Sequence, residues 1–136
     1  MKLLMFFAHE FWLTPREKTI PDVPDQEKTI EASQAVIIFY HAEPTDEQRS
    51  GNVITKFVKN AKWLAGKFQT KTVILHSFNH LGSEKASPDV ALSIISEVKR
   101  KLENAGYTVL ETPFGYQNEW KMHVAGDSLA KVFKEI

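Results

Sequence analysis

Three short, strongly apolar runs constrain the fold of this chain more than any other feature. They are Leu3 to Phe7, Ala35 to Tyr40 and Thr72 to Leu75. Continuous apolar runs of this length are typical of strands that are covered on both faces of a sheet. The sequence therefore predicts a sheet with three buried strands.

Two helices are predicted between and after these strands. Apolar residues recur every three or four positions from Ser50 to Phe68, which predicts an amphipathic helix. The second helix has clear boundaries: Ser87 is a natural N-cap, Pro88 suits the first helical position, and Asp89 favours the positive end of the helix dipole. Gly106 follows its last turn, where a left-handed cap residue belongs.

The remaining elements are shorter. Tyr107 to Leu110 and Trp120 to Val124 are predicted to be strands, and a short final helix is predicted from about Asp127. The polar segment Thr14 to Ser33 carries three prolines and is predicted to be a long excursion without a helix. Together these elements predict a single mixed α/β domain over residues 1–136.

Composition excludes several functions. Lysine plus arginine and aspartate plus glutamate each number 17, and a net charge of zero argues against tight, non-specific binding of nucleic acid. There is no cysteine, so disulfides, thiolate chemistry and cysteine metal sites are excluded. No stretch is long enough to span a membrane, and a cytoplasmic location is predicted.

Two segments that follow predicted strands are the candidates for function. Phe78 to Ser83 follows the third strand and offers His80. Thr112 to Tyr116 follows the fourth strand, where Pro113 fixes the backbone and Gly115 permits close approach. Segments at the mouth of a sheet often display binding residues. A tight turn joining two strands explains the second segment equally well.

Motifs for other chemistries are missing. His76 and His80 are four residues apart, but they follow a strand, no carboxylate motif accompanies them, and no metal site is predicted. The sequence contains no glycine-rich phosphate loop, nucleophile elbow or paired carboxylates. Lysines concentrate along the first helix and its exit, which is usually a solvated face; an RNA substrate would find phosphate contacts there. These lysines are Lys56, Lys59, Lys62, Lys67 and Lys71.

Four segments taken together carry a family resemblance. Phe78 to Glu84, Ser87 to Ala91, Gly106-Tyr107 and Pro113 to Tyr116 resemble the N-terminal editing domain of archaeal threonyl-tRNA synthetase, a relative of D-aminoacyl-tRNA deacylases. The resemblance is sharpest in the C-terminal half and implies a D-aminoacyl-tRNA deacylase-like fold, with a mixed sheet packed against two main helices plus the short C-terminal helix. It also implies a free-standing version of the domain, without a synthetase body.

The resemblance implies a function as well. It implies hydrolysis of the ester that joins a mischarged amino acid to the acceptor end of tRNA, with serine on threonine tRNA as the usual target. It implies a homodimer with no metal and no cofactor, and a threonyl-tRNA synthetase as a partner in trans. The amino acid is expected to be held by main-chain groups, while the tRNA 2′-hydroxyl assists the attacking water.

The resemblance assigns the site residues by position. His80 matches the functional histidine of the family and is expected to orient the substrate, and main chain near His41 or Ala42 is expected to hold the amino acid. The full set has nine members: catalytic His80, Asn118 and Lys131, and substrate-binding His41, Ala42, Asn79, Pro113, Tyr116 and Gln117.

Three positions depart from the family pattern. Gln117 and Asn118 stand where a tyrosine and a lysine are usual, and Lys131 stands where a glutamate is expected in the last helix. Lys121 is an alternative cation, but strand alternation places it on the opposite face from Asn118 unless a bulge intervenes. Two hypotheses remain open: Lys131 supplies the missing cation, or the site has drifted to a non-catalytic binding module for tRNA or a small ligand.

Overall fold

The computed structural model describes residues 1–136. Six strands, two α-helices and two 3₁₀ turns follow one another along the chain. In order they are β1 (Lys2–Lys18), β2 (Ile30–His41), a 3₁₀ turn (Pro44–Asp46), α1 (Ser50–Lys67), β3 (Thr72–Ser77), α2 (Pro88–Asn104), β4 (Thr108–Glu111), β5 (Tyr116–Val124), a second 3₁₀ turn (Ser128–Ala130) and β6 (Lys131–Glu135). Neither α-helix has the length and apolar character needed to cross a membrane.

All six strands belong to one mixed sheet. Its order is β4-β3-β2-β1-β5, and β6 pairs with the N-terminal part of β1. Strands β2, β3 and β4 are parallel and are connected through α1 and α2, whereas β1 pairs antiparallel with β2, β5 and β6. The carboxyl ends of the three parallel strands meet at one edge, which is where ligands usually bind in sheets of this kind.

A sharp bend in the β1–β2 hairpin decides what covers the second face of the sheet. The strands pair regularly except at His9 and Gln34, which the ladder omits, and Gln34 has a φ of 50°. Before the bend Phe7 faces the helices, but beyond it Phe11 and Leu13 pack against the opposite face. The outer half of the hairpin therefore folds back over the sheet and carries β5 with it.

Two apolar layers result. The larger contains 24 buried residues between the sheet and the two helices, and the smaller contains seven between the sheet and the folded-back hairpin. The predicted boundaries of α2 are confirmed: Ser87 Oγ accepts a hydrogen bond from the Val90 N–H, Pro88 is the first helical residue, and Gly106 has a φ of 90°. The larger layer fixes α2, so its first turn has a defined place beside the end of β3.

The prediction of a short C-terminal helix from about Asp127 is wrong. The chain makes a single 3₁₀ turn and then enters β6, whose residues pair with Lys2 to Phe6 of β1. Pairing satisfies the backbone groups along an otherwise open stretch of β1, and this tertiary contact overrides the weak local preference.

The polar segment from Thr14 to Ser33 is only partly an excursion. As predicted, it contains no helix, but β1 continues to Lys18 and β2 already begins at Ile30. The connecting loop is therefore residues 19–29. Its first residues are close to the start of β5, because the N–H groups of Thr19 and Ile20 both bond to the Gly115 carbonyl.

Candidate functional site

A cleft of about 640 Å³ lies at the carboxyl ends of the parallel strands. Its wall is made by the end of β3 and the loop after it, the first turn of α2, and the segment from Pro113 to Trp120 that crosses above them. Seven of the nine residues predicted from the sequence line it: Ala42, Asn79, His80, Pro113, Tyr116, Gln117 and Asn118. His41 and Lys131 do not.

The loop after β3 presents His80 at the rim. The Phe78 N–H bonds to the Tyr40 carbonyl at 2.9 Å, which continues the parallel pairing one residue beyond the strand. The His80 N–H then turns back to the Phe78 carbonyl at 2.9 Å, and the two rings pack edge to face with centroids 4.9 Å apart. The His80 imidazole is exposed to solvent and faces the cleft mouth together with Asn79.

His41 lies behind this loop and holds it with both ring nitrogens. Its Nδ1 accepts the Leu81 N–H at 3.1 Å, and its Nε2 lies 2.6 Å from the Glu84 carbonyl. Because Nδ1 is an acceptor, the proton must be on Nε2, which donates to that carbonyl. His41 is only 1% exposed. It therefore acts on the cleft through the loop, while neighbouring Ala42 lines the cleft directly.

The segment after β4 is hydrogen-bonded to the loop between β1 and β2, residues 19–29. The Gly115 carbonyl accepts N–H groups from Thr19 and Ile20 at 2.7 and 3.2 Å. The Tyr116 hydroxyl donates to the Pro24 carbonyl and accepts the Gln26 N–H, both at 2.9 Å. The Tyr116 ring thus lines the cleft while its hydroxyl is already engaged.

Gly115 is required by backbone conformation and by space. Its φ is 76°, and a Cβ there would lie 2.9 Å from Val23 Cγ1 and 3.1 Å from Ile20 Cβ. We expect Gly115→Ala to lower the free energy of unfolding by about 2 kcal/mol, since the left-handed conformation alone costs an alanine about 1–2 kcal/mol. Urea denaturation measures this loss. Gly126→Ala is the matched control, because nothing lies within 4 Å of its added Cβ; equal losses in both variants would contradict the interpretation.

Asn118 is held by its amide nitrogen. Nδ2 donates to the Pro113 and Tyr116 carbonyls, each at 3.4 Å, and this fixes the orientation because the oxygen cannot face two carbonyl acceptors. Oδ1 is buried and has no partner in the protein. An acceptor left in this state is costly unless a ligand supplies a donor.

The two lysines considered for the missing cation, Lys121 and Lys131, both lie outside the cleft, whereas a third lysine lies within it. Lys121 lies over the Trp12 ring at 5.7 Å on the far side of β5, and the β1–β5 register is regular there, so the predicted opposite face is confirmed. Lys131 begins β6, and its Nζ bonds to the Ala125 and Asp127 carbonyls at 2.9 and 3.3 Å. Lys85, in the loop before α2, does line the cleft and is its only permanently charged side chain.

His76 was not predicted to be part of the site, yet it forms the floor of the cleft. Its ring is 4% exposed, and burial lowers the pKa of the imidazole to about 4. In the sequence, His76 stands out only by its spacing of four residues from His80, which resembles a metal-ligand pair. The signal that favours this location is its place as the fifth residue of a buried strand.

The chemistry available to the cleft is limited. None of the residues that line it is an aspartate, glutamate, serine with a basic partner, or cysteine. No group of three or more histidine or carboxylate side chains able to hold a metal ion occurs in the chain. The cleft therefore offers main-chain groups, two imidazoles, three side-chain amides, a few hydroxyl groups and one ammonium, which suits positioning of an already reactive substrate.

A second depression, of about 750 Å³, lies on the exposed face of β1, β2 and β5. Its lining includes Glu10, Trp12, Glu31 and Lys121, and none of the predicted site residues. It is larger than the cleft but contains no buried side-chain polar atom that lacks a hydrogen-bond partner, whereas the cleft contains Asn118 Oδ1, so the cleft is the candidate site.

One family model matches the chain over residues 1–136; it describes the archaea-specific editing domain of threonyl-tRNA synthetase. Threonine–tRNA ligases of Thermococcus sibiricus and Thermococcus kodakarensis are each 29% identical over 139 aligned residues, and that of Methanopyrus kandleri is 26% identical over 137. Each match covers 100% of the chain and 22% of the relative. The chain thus spans about a fifth of the length of these relatives. The family resemblance predicted from the sequence is confirmed.

A solved structure gives an independent comparison of the fold. The c-Myc DNA unwinding element binding protein matches with a TM-score of 0.68 and 13% sequence identity, over 100% of the chain and 99% of that protein. At this identity the match shows the fold alone. It confirms the predicted fold class, the D-aminoacyl-tRNA deacylase-like α/β fold.

Proposed function

The chain belongs to the archaea-specific editing-domain family of threonyl-tRNA synthetase, and we propose that it hydrolyses the ester bond of mischarged aminoacyl-tRNA in the cleft, with seryl-tRNA for threonine as the main target. One observation carries this proposal: the loop with His80 and the segment from Pro113 to Asn118, which are far apart in sequence, form one cleft. The family and the fold support tRNA editing in general.

The proposed reaction needs little from the protein. A water molecule attacks the ester carbonyl carbon, the bond from that carbon to the ribose oxygen breaks, and the ribose oxygen takes a proton. The products are the free amino acid and uncharged tRNA. Because an aminoacyl ester is already activated, orientation and electrostatic stabilisation supply the acceleration. The 2′-hydroxyl of the terminal adenosine assists the water, which explains how a cleft without a carboxylate base can act.

Each part of the cleft has a proposed task. His80 at the rim orients the terminal ribose and the ester. Main chain at Ala42, Asn79 and Pro113 holds the aminoacyl group, with Gln117 at the edge. His41 keeps the His80 loop in place. We further propose a homodimer that acts in the cytoplasm, alone or beside a threonyl-tRNA synthetase.

Lys85 is proposed to replace the cation that the family places at the position of Asn118. We expect Lys85→Ala to raise KM for aminoacyl-tRNA about tenfold and to weaken its salt dependence, because one ammonium–phosphate contact with the acceptor end is lost. Lys131→Ala is the matched control and should change kcat/KM by less than about twofold, since its Nζ bonds to carbonyls outside the cleft. If Lys131→Ala lost the activity and Lys85→Ala kept it, this assignment would be wrong.

The proposed function is tested by its selectivity. The purified chain is mixed with tRNA for threonine charged with serine, with the same tRNA charged with threonine, and with a D-aminoacyl-tRNA, and discharge is followed in time. We expect fast loss of serine and slow loss of threonine. Discharge of the D-aminoacyl ester alone would assign a different substrate to the cleft.

A specific observation favours a second candidate function. The side chains at the positions where the family pattern has tyrosine and lysine are Gln117 and Asn118, neither of which carries charge. A non-catalytic module that binds an aminoacyl end without hydrolysing it would tolerate this change. Retarded migration of seryl-tRNA without discharge would support this candidate.

A further inference from the structure

The floor of the cleft is an aromatic enclosure around one imidazole. The His76 ring centroid lies 4.6 Å from that of Phe39, 6.3 Å from that of Phe78 and 6.4 Å from that of Trp120. These rings come from β2, from the loop after β3 and from β5, and the last of them arrives only because the hairpin folds back. With these rings around it, only 4% of the surface of His76 is exposed to solvent.

The hydrogen bonds of Thr112 determine which imidazole nitrogen carries the proton. His76 Nδ1 lies 2.8 Å from Thr112 Oγ1, and that hydroxyl lies 3.4 Å from the Leu75 carbonyl. A hydroxyl donates one hydrogen bond, so both bonds form only when it donates to the carbonyl and accepts the proton of Nδ1. Nε2 is then a bare acceptor, without a partner in the protein.

Asn118, which also lines the cleft, provides a second acceptor without a partner in the protein. Its Nδ2 donates to the carbonyl of Pro113, and Pro113 directly follows Thr112, to which His76 is hydrogen-bonded. The amide and the imidazole therefore bond to consecutive residues. Asn118 Oδ1 is buried and unpaired. Two lining residues therefore each have an acceptor that lacks a donor within the chain, and burial keeps His76 uncharged at neutral pH because its pKa is about 4.

We propose that His76 and Asn118 form a side-chain subsite for the α-ammonium group of the aminoacyl substrate. An ammonium group donates three hydrogen bonds and accepts none, which complements two free acceptors. Its charge is also attracted by surrounding aromatic faces. Carboxylate and phosphate groups only accept hydrogen bonds and would meet two acceptors. This inference rests on the proposed function, because it names the group by which that substrate is held.

Comparison of two substrates that differ only at nitrogen tests the subsite. Seryl-tRNA for threonine and its N-acetyl derivative, which lacks the ammonium, are hydrolysed by the wild type, His76→Phe and His76→Gln. We expect the wild type to prefer the free amine at least tenfold in kcat/KM, a difference of about 1.4 kcal/mol. His76→Phe should abolish that preference, and His76→Gln, which retains an acceptor, should restore part of it. Asn118→Leu should reduce the preference as well.

His123 provides the control for the His76 variants. His123→Phe removes an exposed imidazole outside the cleft and should leave the preference unchanged. Equal hydrolysis of both substrates by the wild type would overturn the inference, as would an unchanged preference in His76→Phe. Thermal unfolding of each variant establishes that the loss is not one of folding.

A binding measurement separates this inference from the proposed function. A hydrolysis-resistant adenosine that carries serine through an amide bond is titrated by calorimetry, with its deaminated analogue beside it. If no ester is hydrolysed but the amine compound binds about tenfold tighter in a His76-dependent manner, the subsite stands and the hydrolase proposal fails. If esters are hydrolysed and both compounds bind equally, the hydrolase stands and the subsite fails.

Discussion

Replacement of His80 by alanine is expected to lower kcat/KM for discharge of seryl-tRNA by about a hundredfold, mostly through kcat. Groups that orient a reacting bond or handle its proton typically contribute at least this factor. The His80 side chain is exposed and makes no hydrogen bond within the chain, so the free energy of unfolding should change by less than about 0.5 kcal/mol. Single-turnover discharge and urea denaturation give the two numbers.

The control for this variant is a histidine that is equally exposed but distant from the cleft. His123→Ala removes an imidazole on the outer depression, where it contacts only the His9 ring at 5.0 Å among aromatic groups. It should keep the wild-type rate. If His80→Ala also kept that rate, the histidine at the rim would have no part in the reaction, and the proposed roles of the cleft residues would have to be revised.

A second large effect is expected on the free energy of unfolding at low pH. The folded-state pKa of His76 is lowered to about 4 by burial, whereas in the unfolded chain the imidazole has its ordinary value of 6.5. Below pH 6.5 the imidazole is therefore protonated in the unfolded state but still neutral in the folded state. As a result, the free energy of unfolding falls as the pH is lowered toward 4. The loss approaches about 3 kcal/mol, from about 1.36 kcal/mol per pKa unit. Above pH 7 this histidine contributes no pH dependence.

His76→Phe isolates that contribution. The variant keeps a ring of similar size among the same aromatic neighbours but cannot take up a proton. Urea denaturation of both proteins between about pH 7.5 and 4.5 should show a steeper decline for the wild type, and the difference between the two curves is the linkage of His76. Parallel curves would mean that the imidazole is not held in its neutral form.

Local rules predicted the two long helices and the location of the two loop segments that form the cleft. The boundaries of α2 follow from Ser87, Pro88 and Gly106, because capping and left-handed backbone depend on a few adjacent residues. The two loop segments were expected at the mouth of the sheet, and they do converge there. Parallel strands bring their carboxyl ends to one edge whatever the details of packing, so this inference needed no tertiary information.

The bend at His9 and Gln34 could not be predicted in the same way. Left-handed backbone at a non-glycine residue has no compositional signal, and here it reverses which side of each strand is buried. The bend brings Trp120 within 5.1 Å of Phe39 and so encloses His76. The location of His76 in the cleft was missed for that reason.

The C-terminal strand was missed for a related reason. Its five residues alternate between half-buried and exposed positions, which is too short a pattern to distinguish strand from helix, and its partner lies at the other end of the chain. The error affected the site, because a helix had been expected to carry Lys131 toward the substrate. In β6 the Nζ of that lysine instead bonds to the carbonyls of Ala125 and Asp127, which precede the second 3₁₀ turn.

The most direct test of the central claim is a turnover measurement. Seryl-tRNA for threonine is supplied in large molar excess over the purified chain, and released serine is counted per molecule of protein. A hydrolase should release many serine molecules per chain, at a rate well above spontaneous discharge and far lower with His80→Ala. Release no faster than in buffer, with the seryl-tRNA bound but intact, would contradict the claim and leave the cleft as a binding site.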